Sequence, residues 1–259
     1  MMLEGYFWSV VPDKDFHVKR VRPWNTLLAS SPRIFHTGER MSRIQLHIGP
    51  MFSGKSTALL TDIERRLIGK QEPLKDFVVF NFHQDNRYGE KVLASHKDQQ
   101  VTAIPLSSSR DLLNYLVMKN GHGPEIKPEF RDLRAIYLDE AQFFDTDLPK
   151  TILAINDLFF KIKDRLLPVE IMIAGLDLDF RGEPFGPVPG LLAFADTVTK
   201  HVAVCTACGE NTATRTQRLI NGKPARFNDE IILIGADEAY TARCSRHHEV
   251  PGRPDFVKI

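Results

Sequence analysis

The stretch Gly49-Pro50-Met51-Phe52-Ser53-Gly54-Lys55-Ser56 constrains this chain more than any other. It matches G-x-x-x-x-G-K-S, and its flanks match too. An apolar run at 44–48 reads as a strand, and an amphipathic stretch at 57–68 reads as a helix. In that setting the loop is a phosphate cradle. Successive backbone N–H groups curl around the anion, and the helix N-terminus adds partial positive charge. Gly54 allows close backbone approach, Lys55 reaches the outer phosphates, and the Ser56 hydroxyl suits Mg²⁺.

Such a loop belongs on a parallel sheet, and the rest of the chain agrees. Apolar runs at 76–81, 101–106, 134–139 and 169–176 read as strands, and stretches at 111–118 and 148–166 as helices, the first capped by serines at 107–109. Strands alternating with helices predict an α/β fold of the P-loop NTPase type, a parallel sheet flanked by helices. The Gly- and Pro-bearing segment 120–128 reads as a surface loop. Beyond about residue 200 short extended pieces, among them 201–204, and the turn Asn221-Gly222-Lys223 predict a small β unit. The expected organisation is therefore an N-terminal extension at 1–40, poorly ordered, a nucleotide-binding domain at 41–200 and a small second domain, mainly β, at 201–259. The extension is no secretory signal, because Asp13, Lys14 and Asp15 interrupt its apolar part.

The strand at 134–139 ends in Asp139 and Glu140. Beside a phosphate loop, Asp139 suits Mg²⁺, since a hard cation prefers carboxylate oxygen. Glu140 diverges from it at the strand end and suits a general base acting on a hydroxyl or on water. Water as acceptor makes an ATPase coupled to a macromolecule; a small-molecule hydroxyl makes a kinase.

Composition enters through charge and cysteine. Thirty-four basic residues stand against 33 acidic ones, a net charge of +1. That argues against a broad basic nucleic-acid surface. No apolar run reaches membrane-spanning length. The 3 cysteines make a poor disulfide framework, so a reducing compartment, the cytoplasm, is expected. Cys205 and Cys208 form C-x-x-C, and Cys244 with His247 forms C-x-x-H. Together they make a closed donor set for structural Zn²⁺ in a zinc-ribbon-like lasso. His248 competes with His247 by register, and His201 is a more remote candidate.

With these residues in view, the chain from about 44 to 248 resembles the zinc-containing thymidine kinases of the cytosolic type, in their bacterial-like form. The carrying segments are GPMFSGKST from Gly49, DNRY from Asp85, DEAQFF from Asp139, LDLDFRGEPFG from Leu176, CTAC from Cys205, and GADEAY before Cys244. The resemblance implies transfer of the γ-phosphate of ATP to the 5′-hydroxyl of thymidine or deoxyuridine, with Mg²⁺. It implies ATP contacts from Gly49, Pro50, Met51, Phe52, Ser53, Gly54, Lys55, Ser56 and Thr57, and from Asp139, Glu140, Ala141 and Gln142. Gln142 alternatively caps the strand. Glu140, Lys55 and Arg87 match catalytic positions, and Ser56 and Asp139 the Mg²⁺ positions. Asp85, Phe143, Phe180, Phe185 and Tyr240 match positions around the nucleoside, and Phe144 reads as core. Main chain at Ile231, Ile232, Leu233, Ile234 and Gly235 matches a lid over the base, with Thr216 a further lid position. Zinc on Cys205, Cys208, Cys244 and His247 pins the two ends of that lid. The resemblance further implies a homotetramer, restrained by thymidine triphosphate, with neither nucleic acid nor membrane as partner.

Overall fold

A computed structural model of the chain describes residues 43–68, 76–82, 91–94, 100–162, 168–232 and 238–255. The N-terminal extension, Asp85, Arg87, Leu233, Ile234 and Gly235 lie outside the described residues.

The sheet is built of strands β1 (Arg43–Ile48), β2 (Phe77–Phe82), β3 (Lys91–Ala94) and β4 (Gln100–Leu106), with helix α1 (Lys55–Leu67) between the first two. Helix α2 (Ser109–Leu116) leads into a hairpin of β5 (Val117–Asn120) and β6 (Gly123–Ile126). Then come β7 (Ala135–Asp139), α3 (Leu148–Phe160), β8 (Glu170–Gly175), α4 (Val188–Phe194) and β9 (Thr197–Lys200). The spatial order is β3-β4-β2-β7-β8-β1-β9. Strands β4 through β9 run parallel along this order, and only β3 is antiparallel, on β4.

Burial explains why the strands read as apolar runs without alternation. Phe77 and Val79 face α1 with Tyr137, Met172, Leu59, Leu60 and Ile63. Val78 and Phe80 face the other side, where Leu112, Ile152, Ile155, Phe159 and Leu191 pack. Side chains alternate across a strand, so a sheet covered on both faces needs apolar residues at every position. One partly buried polar knot ties α1 to the sheet. The Tyr137 hydroxyl donates to Asp62 Oδ2 at 2.5 Å and accepts from Arg66 Nε at 2.7 Å, while Arg66 reaches Glu170 at 2.6 Å. Burial, with the Asp62 hydrogen bond, pushes the Tyr137 phenol far above its ordinary range, so it stays a donor.

The C-terminal part forms a second sheet of β10 (Arg215–Ile220), β11 (Lys223–Pro224) and β12 (Glu238–Arg243), all antiparallel. Its first turn uses Asn221 and Gly222 at φ 50° and 74°, the pattern of a two-residue hairpin.

Three local expectations change. Segment 120–128 is not a loop: Asn120 pairs with Gly123 and the hairpin runs on to Ile126. Its Gly and Pro residues mark a tight turn in a separate two-stranded sheet, which composition alone does not separate from a loop. Helix α3 stops at Phe160, short of residue 166, with residues 163–167 outside the described set. The extended piece before the C-x-x-C is β9, ending at Lys200; from 201 to 204 only Ala203 makes a bridge, to Ala213.

Candidate active site

The loop from 49 to 54 joins β1 to α1 at the carboxyl edge of the sheet, and β7 ends beside it. Parallel strands therefore deliver the anion cradle and the acidic pair to one edge. The loop is tightly made. A Cβ on Gly49 would lie 2.5 Å from the His201 carbonyl oxygen, and φ there is +144°. Phe52 takes φ 62°, a left-handed conformation unusual for a large side chain. Ser53 Oγ and Lys55 Nζ both donate to the Pro50 carbonyl, at 2.8 and 2.7 Å. Burial lowers the Lys55 pKa, while Glu140, Asp139 and Asp177 pull it upward.

Asp139 is buried, and its Oδ1 accepts the Glu140 amide at 2.9 Å. Burial and the Glu140 carboxylate push the Asp139 carboxyl well above the usual range, against a hydrogen bond from Ser56 that favours the charged form. A hydroxyl and a carboxylate already in contact, beside a second carboxylate, make a donor set that suits a hard divalent cation.

Glu140 sits at φ 55°, turning its side chain out of the strand register. Gln142 holds it: Nε2 donates to Glu140 Oε2 at 2.5 Å, while Oε1 accepts the Leu176 amide at 2.9 Å. Gln142 is buried and absent from the cavity wall; it caps the exit of β8 through the Leu176 amide and braces Glu140 there. Its own backbone is braced in turn, since a Cβ on Gly186 would lie 2.1 Å from the Gln142 carbonyl oxygen.

A cavity of about 460 Å³ opens between this edge and the C-terminal sheet. Met51, Phe52, Gly54, Lys55, Ser56 and Thr57 line it together with Glu140, and Phe143, Phe180, Phe185, Ile231, Ile232 and Tyr240 form its apolar part. Phe143 and Phe185 meet edge to face at 5.6 Å. Gly49, Pro50, Ser53, Asp139, Ala141 and Gln142 are not part of the wall; Ala141 is fully buried in the core. Phe144 packs in the core against Phe82, as the sequence suggested.

One wall member was not singled out from the sequence: Leu176 lines the cavity directly after β8. Thr216, a lid position that the resemblance implies, lines it as well, and its Oγ1 accepts the Met51 amide at 3.1 Å, so the C-terminal sheet grips the phosphate loop. Asp177 is buried, bonded to Lys200 at 2.8 Å, and contributes to the field on Lys55. Its signal was available: it lies just beyond β8, as Glu140 lies just beyond β7.

The metal-ligand reading is also resolved in its register. Ligand atoms of Cys205, Cys208, Cys244 and His247 lie within 4.8 Å of one another, an arrangement compatible with a zinc site. His248 faces the other way, with Nε2 2.8 Å from the Phe180 carbonyl oxygen. His201 is no ligand there; its Nε2 lies 3.0 Å from Nδ1 of His47, under the phosphate loop. Burial lowers both histidine pKa values, helped in His47 by His201 and in His201 by Lys55.

Compared with known protein families, residues 42–248 match the family model for thymidine kinase.

Proposed function

The chain belongs to the thymidine kinase family, and we propose that it transfers the γ-phosphate of ATP to the 5′-hydroxyl of thymidine, with deoxyuridine as a second acceptor. One observation carries the proposal. A single cavity runs from Lys55 and Ser56, past Glu140, to the rings of Phe143, Phe180 and Tyr240. An anion cradle, a base and a flat apolar slot are thus contiguous, which is what phosphoryl transfer to a planar nucleoside requires.

In this reading the triphosphate lies along the loop amides, and Lys55 leaves the Pro50 carbonyl for the phosphate oxygens. Ser56 and Asp139 would hold Mg²⁺, which would supply positive charge against the phosphate oxygens. The nucleoside ring lies among Phe143, Phe180, Phe185 and Tyr240. Gln142 occupies one oxygen of Glu140 and leaves the other for the 5′-hydroxyl. That hydroxyl oxygen bonds to the γ-phosphorus as the bridging bond to ADP breaks, and its proton passes to Glu140. Lys55, with Arg87 carried over from the family resemblance, stabilises charge on the transferred group, and Asp85 is carried over in the same way as a substrate-binding residue. Ile231 and Ile232 close the apolar end, limiting water that would hydrolyse ATP; the resemblance alone assigns Leu233, Ile234 and Gly235 to the same lid. We further propose that zinc on the Cys/His cluster anchors this lid, that the active form is a homotetramer in the cytoplasm, and that thymidine triphosphate competes for the nucleoside end.

The test is ATP-dependent phosphorylation of a nucleoside panel with a control lacking acceptor. Thymidine monophosphate should form, and ADP release should be slow without nucleoside. Rapid ADP release that ignores nucleoside would overturn the proposal in favour of an ATPase.

A further inference from the structure

We propose that Arg218 is a positioning residue for the nucleoside pocket, holding the Phe180 ring and the lid entrance at Glu230 in one geometry. The inference rests on the nucleoside reading of the cavity and extends it to a residue that the resemblance does not assign.

Arg218 is 1% exposed, yet it does not line the cavity. It stands directly behind the wall. Its guanidinium carbon lies 5.2 Å from the centroid of the Phe180 ring, within cation–π range. Its Nη1 donates to the carbonyl oxygen of Glu230, the residue immediately before Ile231 and Ile232. In β10 it shares a face with Thr216, which caps the Met51 amide, and across the sheet it is in register with Tyr240. One side chain therefore touches or neighbours the aromatic wall, the lid entrance and the strand that grips the phosphate loop.

The chemistry selects arginine. Burying a full charge is costly, so the group must be repaid by directed contacts. A planar guanidinium can present its face to a ring while its edge donates to a carbonyl. A lysine ammonium is a compact point charge and cannot do both from one position. Phe180 is fixed from its other end as well, because its carbonyl oxygen faces His248 Nε2 at 2.8 Å. The ring's remaining freedom is rotation about its side-chain bonds, and Arg218 is placed to remove it. Loss of Arg218 should therefore weaken the nucleoside end and leave the phosphate end intact.

The experiment measures thymidine and Mg·ATP affinities separately by calorimetry for wild type, Arg218→Lys, Arg218→Met, Phe180→Leu and the Arg218→Met/Phe180→Leu double variant. Both Arg218 variants should lose roughly tenfold or more in thymidine affinity, with Mg·ATP affinity within about twofold. The thymidine KM should rise while kcat at saturation changes little. Arg218→Met should cost less in the Phe180→Leu background than alone, because the two share one interaction. Should Arg218→Met fail to fold, Arg218→Lys decides, since it keeps the charge and loses the planar fork. Unchanged thymidine affinity in folded variants, or equal loss for both ligands, would overturn the inference. Wild-type protein that binds no thymidine would instead overturn the functional reading, and the inference with it.

Discussion

Gln142→Leu is the sharpest probe of how the candidate base is held. Leucine nearly matches glutamine in volume, so no large void is expected, and the change removes hydrogen bonds alone. Two are lost: Leu176 N–H to Oε1 at 2.9 Å, and Nε2–H to Glu140 at 2.5 Å. Leaving the Leu176 amide without a partner costs about 1–3 kcal/mol, and a hydrogen bond to a charged group contributes about 1.5–3 kcal/mol. Glu140 is only half-buried, so water recovers part of the second. The net expectation is about 2–4 kcal/mol of stability, or roughly 5–15 °C in Tm for a unit of this size. Activity should fall as well, because a carboxylate free to wander by about 1 Å loses roughly 10- to 100-fold in rate. Thermal unfolding and steady-state kinetics, run well below the transition, separate the two effects. A Tm within about 1 °C of wild type together with unchanged kcat would refute the bracing role.

Two further predictions concern other parts of the molecule. Burial holds His47 and His201 below their ordinary pKa of 6.5. The unfolded chain therefore takes up protons that the folded chain refuses, and stability falls as pH drops below about 6.5. Chemical denaturation between neutral and acid pH should show that loss, and His47→Gln should flatten it; an equally steep profile in the variant would exclude the pair as its source. Purified protein should carry about one zinc ion per chain by elemental analysis. Its removal should lower Tm and raise the thymidine KM more than the ATP KM, whereas metal-free protein with unchanged thymidine KM would separate the cluster from the lid.

Much of this site was legible because its chemistry is local. The phosphate loop occupies consecutive residues, and Asp139 and Glu140 follow one strand, so a strand–loop–helix pattern suffices to assemble them. The apolar wall is different. Phe143, Phe180 and Tyr240 come from distant segments, and only a family resemblance gathered them before the cavity did. The bracing groups were not legible at all. Gln142 and Arg218 act through partners fixed by packing, and His47 meets His201 across 154 positions. His247 and His248 are neighbours whose side chains diverge, one toward the cysteines and one toward Phe180, a choice made by backbone register. Among the elements, α4 was missed because Pro187-Val188-Pro189-Gly190 reads as a turn, although proline is well tolerated in a helix's first turn. The hairpin of β5 and β6 was missed because its strands are only four residues each and its Gly and Pro are those of a loop, although it closes into its own two-stranded sheet.

The central claim is that Glu140 takes the proton of a nucleoside hydroxyl during phosphoryl transfer, and Glu140→Gln tests it most directly. The amide keeps the size and the contact with Gln142 but cannot accept the proton. Thymidine and Mg·ATP affinities should stay within about twofold of wild type, while kcat for thymidine phosphorylation falls by about 10²–10⁴. Near-normal kcat in a Glu140→Gln protein that still binds both substrates would contradict the account.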